Sequence, residues 1–265
     1  MVNFVRHLVE SIGKTGRARV EGVGRSARFV ATTGHSAWDI RTWGPMATMH
    51  ARTLGVDSLP IAIFIALFTG IVLALLASYS FTGAVPLYFV GTLVEKTITM
   101  ELAPVLTGLA LAGRVGANIA AELGTMKVTE QVDALETLAY DPVSYLVVPR
   151  VLAGTVMFPL VVGLAMIAGV AAGWLSALFL LDLSTQEFVR GARLFFTSFD
   201  VRYGLVKSAS FGAAVTWIGC WHGLEAGGGA QGVGRAATNA VVYSAVTILI
   251  LDAFWAVTWL LGQKP

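Results

Sequence analysis

The chain has 265 residues, of which 56% are hydrophobic and only 13% are charged. Soluble globular domains carry about 25% charged residues, so this composition excludes an ordinary soluble domain and indicates an integral membrane protein. The net charge of +2 is small, but eight of the eighteen Lys and Arg residues lie within residues 1–52.

The first 52 residues form a basic segment that differs from the rest of the chain. Residues 1–30 combine six basic residues with apolar residues at helical spacing, namely Phe4, Val5, Leu8, Val9 and Ile12. This pattern predicts a basic amphipathic helix lying on an anionic membrane surface. A frayed basic tail is the alternative, because four glycines weaken any long helix here. The segment lacks the apolar core and cleavage site of a secretory signal.

Residues 53–265 are predicted to form a membrane domain with five spanning helices. Long uncharged runs of about 20 or more residues are typical of transmembrane helices. The predicted spans cover residues 57–81, 92–118, 146–181, 203–224 and 237–262. The third run is too long for one upright span, so we expect it to tilt or to project from the bilayer. The positive-inside rule predicts a cytoplasmic N-terminus, with 119–145 and 225–236 as inner loops and 82–91 and 182–202 as outer loops.

Two glycine-containing motifs resemble nucleotide sites but lack the necessary context. Gly13-Lys14-Thr15 resembles the end of a phosphate-binding loop, yet the required earlier glycine is replaced by Leu8. Gly227, Gly229 and Gly232 match G-x-G-x-x-G, but a membrane helix precedes them instead of a strand. We therefore expect no ATPase site and no dinucleotide site in this chain.

Metal, cofactor and catalytic sites are not expected either. Cys220 and His222 are two residues apart, and such residues do not share a helix face. No further cysteine exists, so no internal disulfide forms and no ligand set for a metal is visible. No Ser/His/Asp or His/Glu group supports hydrolysis. We therefore expect a protein that is not an enzyme, with no cofactor and no nucleic-acid partner.

Two carboxylates lie at membrane depth in the predicted spans. Glu101 belongs to the second span and Asp252 to the middle of the last one. Intramembrane carboxylates are costly and usually face a cavity or a partner. For Glu101 we favour a cavity-lining role over a structural ion pair. For Asp252 we favour a structural role.

A short acidic helix is predicted between the second and third spans, at about residues 128–140. Val128, Val132, Leu135 and Ala139 share one face, and Glu130, Asp133 and Glu136 lie on or beside the other. Asp141-Pro142 is predicted to stop this helix. Such a short helix is marginal alone, so it needs a partner surface. The alternative is an acidic helix packed only on its own membrane domain.

The block from Glu101 to Arg150 carries a resemblance to a known family. In order, it contains Glu101-Leu102-Ala103-Pro104, Ala112-Gly113-Arg114-Val115-Gly116, Ala121-Glu122-Leu123-Gly124-Thr125-Met126, Thr129-Glu130-Gln131, Ala134-Leu135-Glu136, Asp141-Pro142 and Pro149-Arg150. With these motifs the chain resembles the MlaE/YrbE permeases, the membrane subunits of ABC-type systems that move phospholipids with MCE proteins. The resemblance covers roughly residues 50–262.

The resemblance implies a fold, partners and site residues. It implies a homodimer that contacts a cytoplasmic ABC ATPase dimer and faces an MCE-protein hexamer outside. A small regulatory subunit on the ATPase is compatible with the resemblance, but the sequence does not tell whether one is present. The acidic helix with Glu130, Asp133 and Glu136 would be the coupling helix, and the N-terminal helix the interfacial elbow. The phospholipid cavity would be lined by Leu73, Ser80, Phe81, Glu101 and Leu102. Family members often carry Arg before the Glu-Leu pair, where this chain has Met100.

The expected function is therefore a permease subunit of an ATP-driven phospholipid transporter that maintains outer-membrane lipid asymmetry. The expected location is a bacterial inner membrane, with a plastid envelope as the alternative. A proton- or ion-coupled secondary transporter using Glu101 and Asp252 is the second hypothesis, although no inverted repeat is visible. A membrane scaffold that only assembles partners is the third.

Overall fold

The computed structural model describes residues 24, 29, 31–34, 36, 40–81 and 85–260. Throughout these residues the chain is helical, with short turns and no strand. The helix predicted over residues 1–30 lies, except for Gly24 and Phe29, outside the described residues. From residue 40 onward the main helices are α1 Ile40–Leu54, α2 Leu59–Ser80, α3 Phe89–Val128, α4 Gln131–Thr137, α5 Val143–Leu180, α6 Thr185–Leu194, α7 Ser198–Leu224 and α8 Gly229–Trp259. A short 3-10 helix, Val56–Ser58, lies between α1 and α2.

Four helical stretches of the described chain are long and apolar enough to cross a membrane. They are Trp43–Ser80, Phe89–Val128, Val143–Leu180 and Gly229–Trp259. The predicted fourth span, 203–224, coincides with most of α7, which is 27 residues long but is not among them. Helix α7 is less apolar because it carries Asp200, Arg202 and Lys207. The all-helical membrane fold is confirmed, whereas the count of five spans is not.

Two predicted loops are largely helical in the structure. Residues 182–202, predicted as a loop, contain α6. A capping box starts this helix, with the Ser184 hydroxyl accepting from the Glu187 N–H and the Glu187 carboxylate accepting from the Ser184 N–H. The hydrogen bonds from Ser184 hold the pKa of Glu187 below its ordinary value. The predicted loop 225–236 is also mostly helical, because α8 begins just after Gly228, whose φ of +81° favours glycine.

Small residues set the contact between the central helix α5 and its neighbours. Helix α5 packs against α1, α2 and α7. A Cβ atom on Gly70 of α2 would lie 2.0 Å from the Gly169 carbonyl oxygen of α5, so the two backbones touch. Gly173 lies one turn further along α5 and approaches Val94 of α3. Close backbone approach through small residues is how membrane helices pack.

The second small-residue pair, Gly219 and Gly223 on α7, is also used within the chain. A Cβ atom on Gly219 would lie 3.0 Å from the Gly116 carbonyl oxygen of α3. A Cβ atom on Gly223 would lie 2.7 Å from the Leu123 side chain, also on α3. These two GxxxG pairs, Gly169/Gly173 and Gly219/Gly223, therefore pack helices of the same chain together.

Gly70→Ala should lower the thermal stability of the detergent-solubilised protein, although alanine is the better helix former. The added Cβ would collide with backbone, which cannot move aside as a flexible side chain could. Gly113→Ala is the matched control, since nothing lies within 4 Å of the Cβ position there. Thermal unfolding followed by intrinsic fluorescence measures both variants, and equal melting temperatures would contradict the close contact.

Candidate functional site: a buried lysine between two carboxylates

The membrane domain encloses a charged cluster built on Lys207 of α7. The Lys207 side chain is completely buried. Its Nζ lies 2.6 Å from Glu101 Oε2 of α3 and also forms an ion pair with Asp252 Oδ1 of α8. One ammonium group therefore joins three helices. The two intramembrane acids singled out in the sequence meet at this cation.

A proline explains the third contact of the lysine. Lys207 Nζ also donates to the Met100 carbonyl, at 3.4 Å. In a regular α-helix that carbonyl would accept from the residue four positions later, which is Pro104 and carries no N–H. The helix widens into a π turn over Ile98–Leu102, immediately before this proline. Such turns occur frequently at functional sites, and here the turn carries Glu101.

The cluster surrounds the lysine with oxygen atoms but leaves one carboxylate accessible. Lys207 Nζ donates hydrogen bonds to the Met100 carbonyl and to Glu101 Oε2, and Asp252 Oδ1 is its second ion-pair partner. The Lys207 ammonium also lies 5.2 Å from the Tyr203 ring centroid, within the range of a cation–π contact. The Glu101 side chain is 44% exposed, whereas that of Asp252 is 19% exposed. Glu101 is therefore the member of the cluster that can touch another molecule.

The cation at this site was missed from the sequence. Lys96 is the nearest basic residue to Glu101 along the chain, but its Nζ pairs with Asp200 Oδ2 at 2.8 Å. Lys207 is 106 residues away from Glu101 in sequence. The available signal was a lysine inside an otherwise apolar predicted span, opposite in charge to the acids of two other spans. Lys207 supplies the cationic contact that Met100 does not.

The other predicted cavity residues do not join this cluster. Leu102 follows Glu101 on the π turn and is half-buried. Leu73 and Phe81 pack against the hydrophobic core, and the Ser80 hydroxyl donates to the Leu76 carbonyl of its own helix at 2.8 Å. The lining role of these residues remains a prediction.

The acidic helix is shorter than predicted. Helix α4 covers Gln131–Thr137 instead of 128–140, and Val128 is the last residue of α3. Glu130 and Ala139 have φ of 61°, which places both outside the helix. The helix thus ends before Asp141-Pro142. Asp141 instead accepts from the N–H groups of Val143 and Ser144 and so caps the next helix.

Helix α4 has one packed face and one exposed face. Val132 is buried and Leu135 packs against the core. Glu130, Asp133 and Glu136 are exposed, and Lys127 Nζ lies 2.7 Å from Asp133 Oδ1. Leu138 and Tyr140, just beyond the helix, are also exposed. An acidic surface with adjacent exposed apolar side chains remains open to a partner.

Comparison with known proteins identifies the family. The family model described as Permease MlaE matches residues 47–258. The chain belongs to the MlaE permease family. The resemblance found in the sequence is thereby confirmed.

Individual relatives cover most of the chain. A probable ABC transporter permease protein of Rickettsia prowazekii is 44% identical over 74% of this chain and 76% of its own length. A protein of the same description from Synechocystis is 41% identical over 79% of both chains. The intermembrane phospholipid transport system permease protein MlaE of Haemophilus influenzae is 31% identical over 95% of both chains.

Lys207→Met should destabilise the fold, because it leaves two carboxylates at membrane depth without their cation. Removing one partner of a buried ion pair costs about 3–5 kcal/mol. The triple variant with Lys207→Met, Glu101→Gln and Asp252→Asn should recover most of the loss, since no uncompensated charge remains. Unfolding in detergent measures both variants. A single variant as stable as the wild type would contradict the structural role of the cluster.

Proposed function

We propose that this chain is the permease subunit of an ATP-driven phospholipid transporter. Family membership makes it an ABC transporter permease. The lipid substrate is supported by the name of the H. influenzae relative, which is similar over almost the whole chain. The observation that carries the proposal is the half-exposed Glu101 carboxylate, held by buried Lys207 within an otherwise apolar helical domain.

A phospholipid needs apolar walls for its tails and a few polar groups for its head. The cluster supplies such groups at membrane depth, where an isolated charge would be too costly. Because Lys207 keeps Asp252 and the Met100 carbonyl as partners, Glu101 can exchange its contact for one with a lipid headgroup. We propose that Glu101 and Leu102 line the lipid cavity between two copies of the chain, together with Leu73, Ser80 and Phe81.

Energy is proposed to enter through α4. An ABC ATPase dimer in the cytoplasm would bind the exposed acidic face of this helix, one ATPase to each permease copy. Helix α4 follows directly on α3 and contacts it. Glu101, in the π turn of α3, lies 27 residues, or about 40 Å, before Val128 at the end of α3. Movement of α4 would therefore reach the cluster through one continuous helix. Arg150 Nη2 lies 2.7 Å from Glu122 Oε1 and links α5 to α3 near this end.

The remaining parts of the assembly follow from the family. We propose a bacterial inner-membrane location with five spans, an N-terminus in the cytoplasm and an MCE-protein hexamer on the opposite side. Helix α7 would be the additional span. Its polar residues would be tolerated because Lys207 and Asp200 are buried and paired inside the bundle.

A proton-coupled secondary transporter is the second candidate function. The observation in its favour is that two carboxylates, Glu101 and Asp252, share one lysine, an arrangement able to exchange a proton. Lipid movement in vesicles that contain the chain, a proton gradient and no ATP would favour it. Movement that requires both ATP and the ATPase would exclude it.

Charge reversal on α4 should abolish association with the ATPase. In the variant with Glu130→Lys and Asp133→Lys, the exposed surface changes sign, and we expect no ATPase to co-purify with the permease. The control exchanges Lys127→Asp and Asp133→Lys, which keeps the intrachain ion pair and leaves Glu130 and Glu136 in place. This control should retain most of the ATPase. Undiminished co-purification of the doubly reversed variant would remove α4 from the docking surface.

Glu101→Ala should lower the amount of phospholipid that co-purifies with the complex while leaving it folded. Lys207 still has two acceptors in this variant, so the cost to stability is smaller than for Lys207→Met. Asp252→Asn is the matched control, because it removes the less exposed carboxylate of the same lysine. Quantitative lipid mass spectrometry separates the two outcomes. Equal lipid loads in Glu101→Ala and wild type would reduce Glu101 to a structural residue.

A further inference from the structure

A cavity lies apart from the Lys207 cluster, between α3, α5, α6 and α7. Its volume is about 620 Å³, within the range of sites that hold one small molecule. The walls are mostly apolar, with Ile167, Val170 and Trp174 on α5 and Phe188 on α6. Glu101 does not line this cavity, and Glu95, which does, precedes it by six residues, or about 9 Å along α3.

Glu95 is the unusual group in this cavity. Glu95 is only 6% exposed, and no donor among the described residues makes a well-formed hydrogen bond to either carboxylate oxygen. The Thr99 hydroxyl, one turn further along α3, contributes only a minor interaction with this carboxylate. The adjacent Lys96 does not serve it, because that ammonium group pairs with Asp200. Burying a carboxylate without a hydrogen-bond partner is costly. A carboxylate of this kind that lines a cavity is therefore suited to accept a hydrogen bond from a bound ligand.

Arg193 of α6 lines the same cavity at its exposed edge. Within the described part of the chain it forms no ion pair, and its guanidinium is not within ion-pair distance of Glu95. The cavity thus presents a buried carboxyl group, an exposed guanidinium and apolar walls, and a bound cation would favour the ionised form of the carboxyl group. A zwitterionic headgroup carries the complementary pair of charges, an ammonium and a phosphate, on one molecule.

We propose that this cavity binds a phospholipid of the surrounding bilayer with a phosphoethanolamine headgroup, whose ammonium donates to Glu95 and whose phosphate contacts Arg193. One acyl chain lies along the apolar wall of α5. A transmembrane helix of a partner protein fits less well, because it would need a base and an acid at the same two positions. This site does not depend on the Glu101 cluster, so an experiment can contradict the proposal for one of them without affecting the other.

Photo-crosslinking in phosphatidylglycerol vesicles tests the proposal on the complete transporter complex. The vesicles contain a trace of phosphatidylethanolamine or phosphatidylglycerol with the same diazirine-bearing acyl chains, and labelled peptides are mapped by mass spectrometry. We expect the ethanolamine lipid to label residues 163–174 and 188–196 about tenfold more strongly than the glycerol lipid. One hydrogen bond to a charged group produces a difference in binding of this size.

Three variants separate the contributions to this labelling. Glu95→Gln should reduce ethanolamine-lipid labelling to the level of the glycerol lipid, and it should fold, because the amide has nearly the same size and carries no charge. Arg193→Gln should weaken labelling by both lipids and keep the headgroup preference. Asp182→Asn, an exposed carboxylate outside the cavity with φ of 50°, should change nothing.

Two results would overturn the proposal. Equal labelling by the two headgroups in the wild type, or a preference that survives Glu95→Gln, would mean ordinary boundary lipid. Lipid label on a transmembrane peptide of a partner protein, with none on residues 163–174 and 188–196, would assign the cavity to a partner's transmembrane helix.

Discussion

The membrane domain depends on one cation that is buried between two anions. Lys207 is the fully buried charge at the centre of α7, and its partners come from α3 and α8. In hydrocarbon neither the ammonium nor the carboxylates are tolerable alone, so the three helices must meet at this point. The π turn before Pro104 contributes to the same meeting, because it offers the lysine a carbonyl that the helix itself cannot use. Charge pairing and backbone geometry therefore fix one arrangement of these helices.

The surrounding packing lets the charged cluster coexist with an apolar exterior. Glycine contacts bring α2 against α5 and α7 against α3 at backbone distance. The large apolar side chains of α2, such as Phe64, Phe68 and Val72, then remain exposed, as expected for a lipid-facing surface. The charged cluster lies inside an otherwise apolar bundle, and apolar side chains also cover this outer face. This arrangement leaves the permease with few polar groups to offer a lipid. It makes the accessible side of Glu101 the natural place for a headgroup.

Much of this architecture could be predicted from the sequence, because long uncharged runs and small-residue pairs have local signatures. The helical character of the chain and the acidic helix after α3 were predicted from such patterns. Glu101 was singled out because it is a carboxylate inside a predicted span, and its cavity-lining role stays a prediction. The partner of Glu101 was not, because an ion pair between residues 101 and 207 depends on how helices meet and leaves no local pattern. The bounds of α4 were missed for a related reason. The left-handed backbone conformation at Glu130 and Ala139 is set by the turns that join α4 to α3 and α5. Neither glutamate nor alanine is a residue type that predicts this conformation.

The most direct test of the account is the mass of the intact complex, purified from native membranes in mild detergent and measured by native mass spectrometry. The account predicts two copies of this chain with two ATPases, an MCE-type oligomer and bound phospholipid. A lone chain, or a homo-oligomer with neither ATPase nor lipid, would contradict it. In that case α4 would lose its proposed partner, and the proton-coupled alternative would become the leading explanation for the Lys207 cluster.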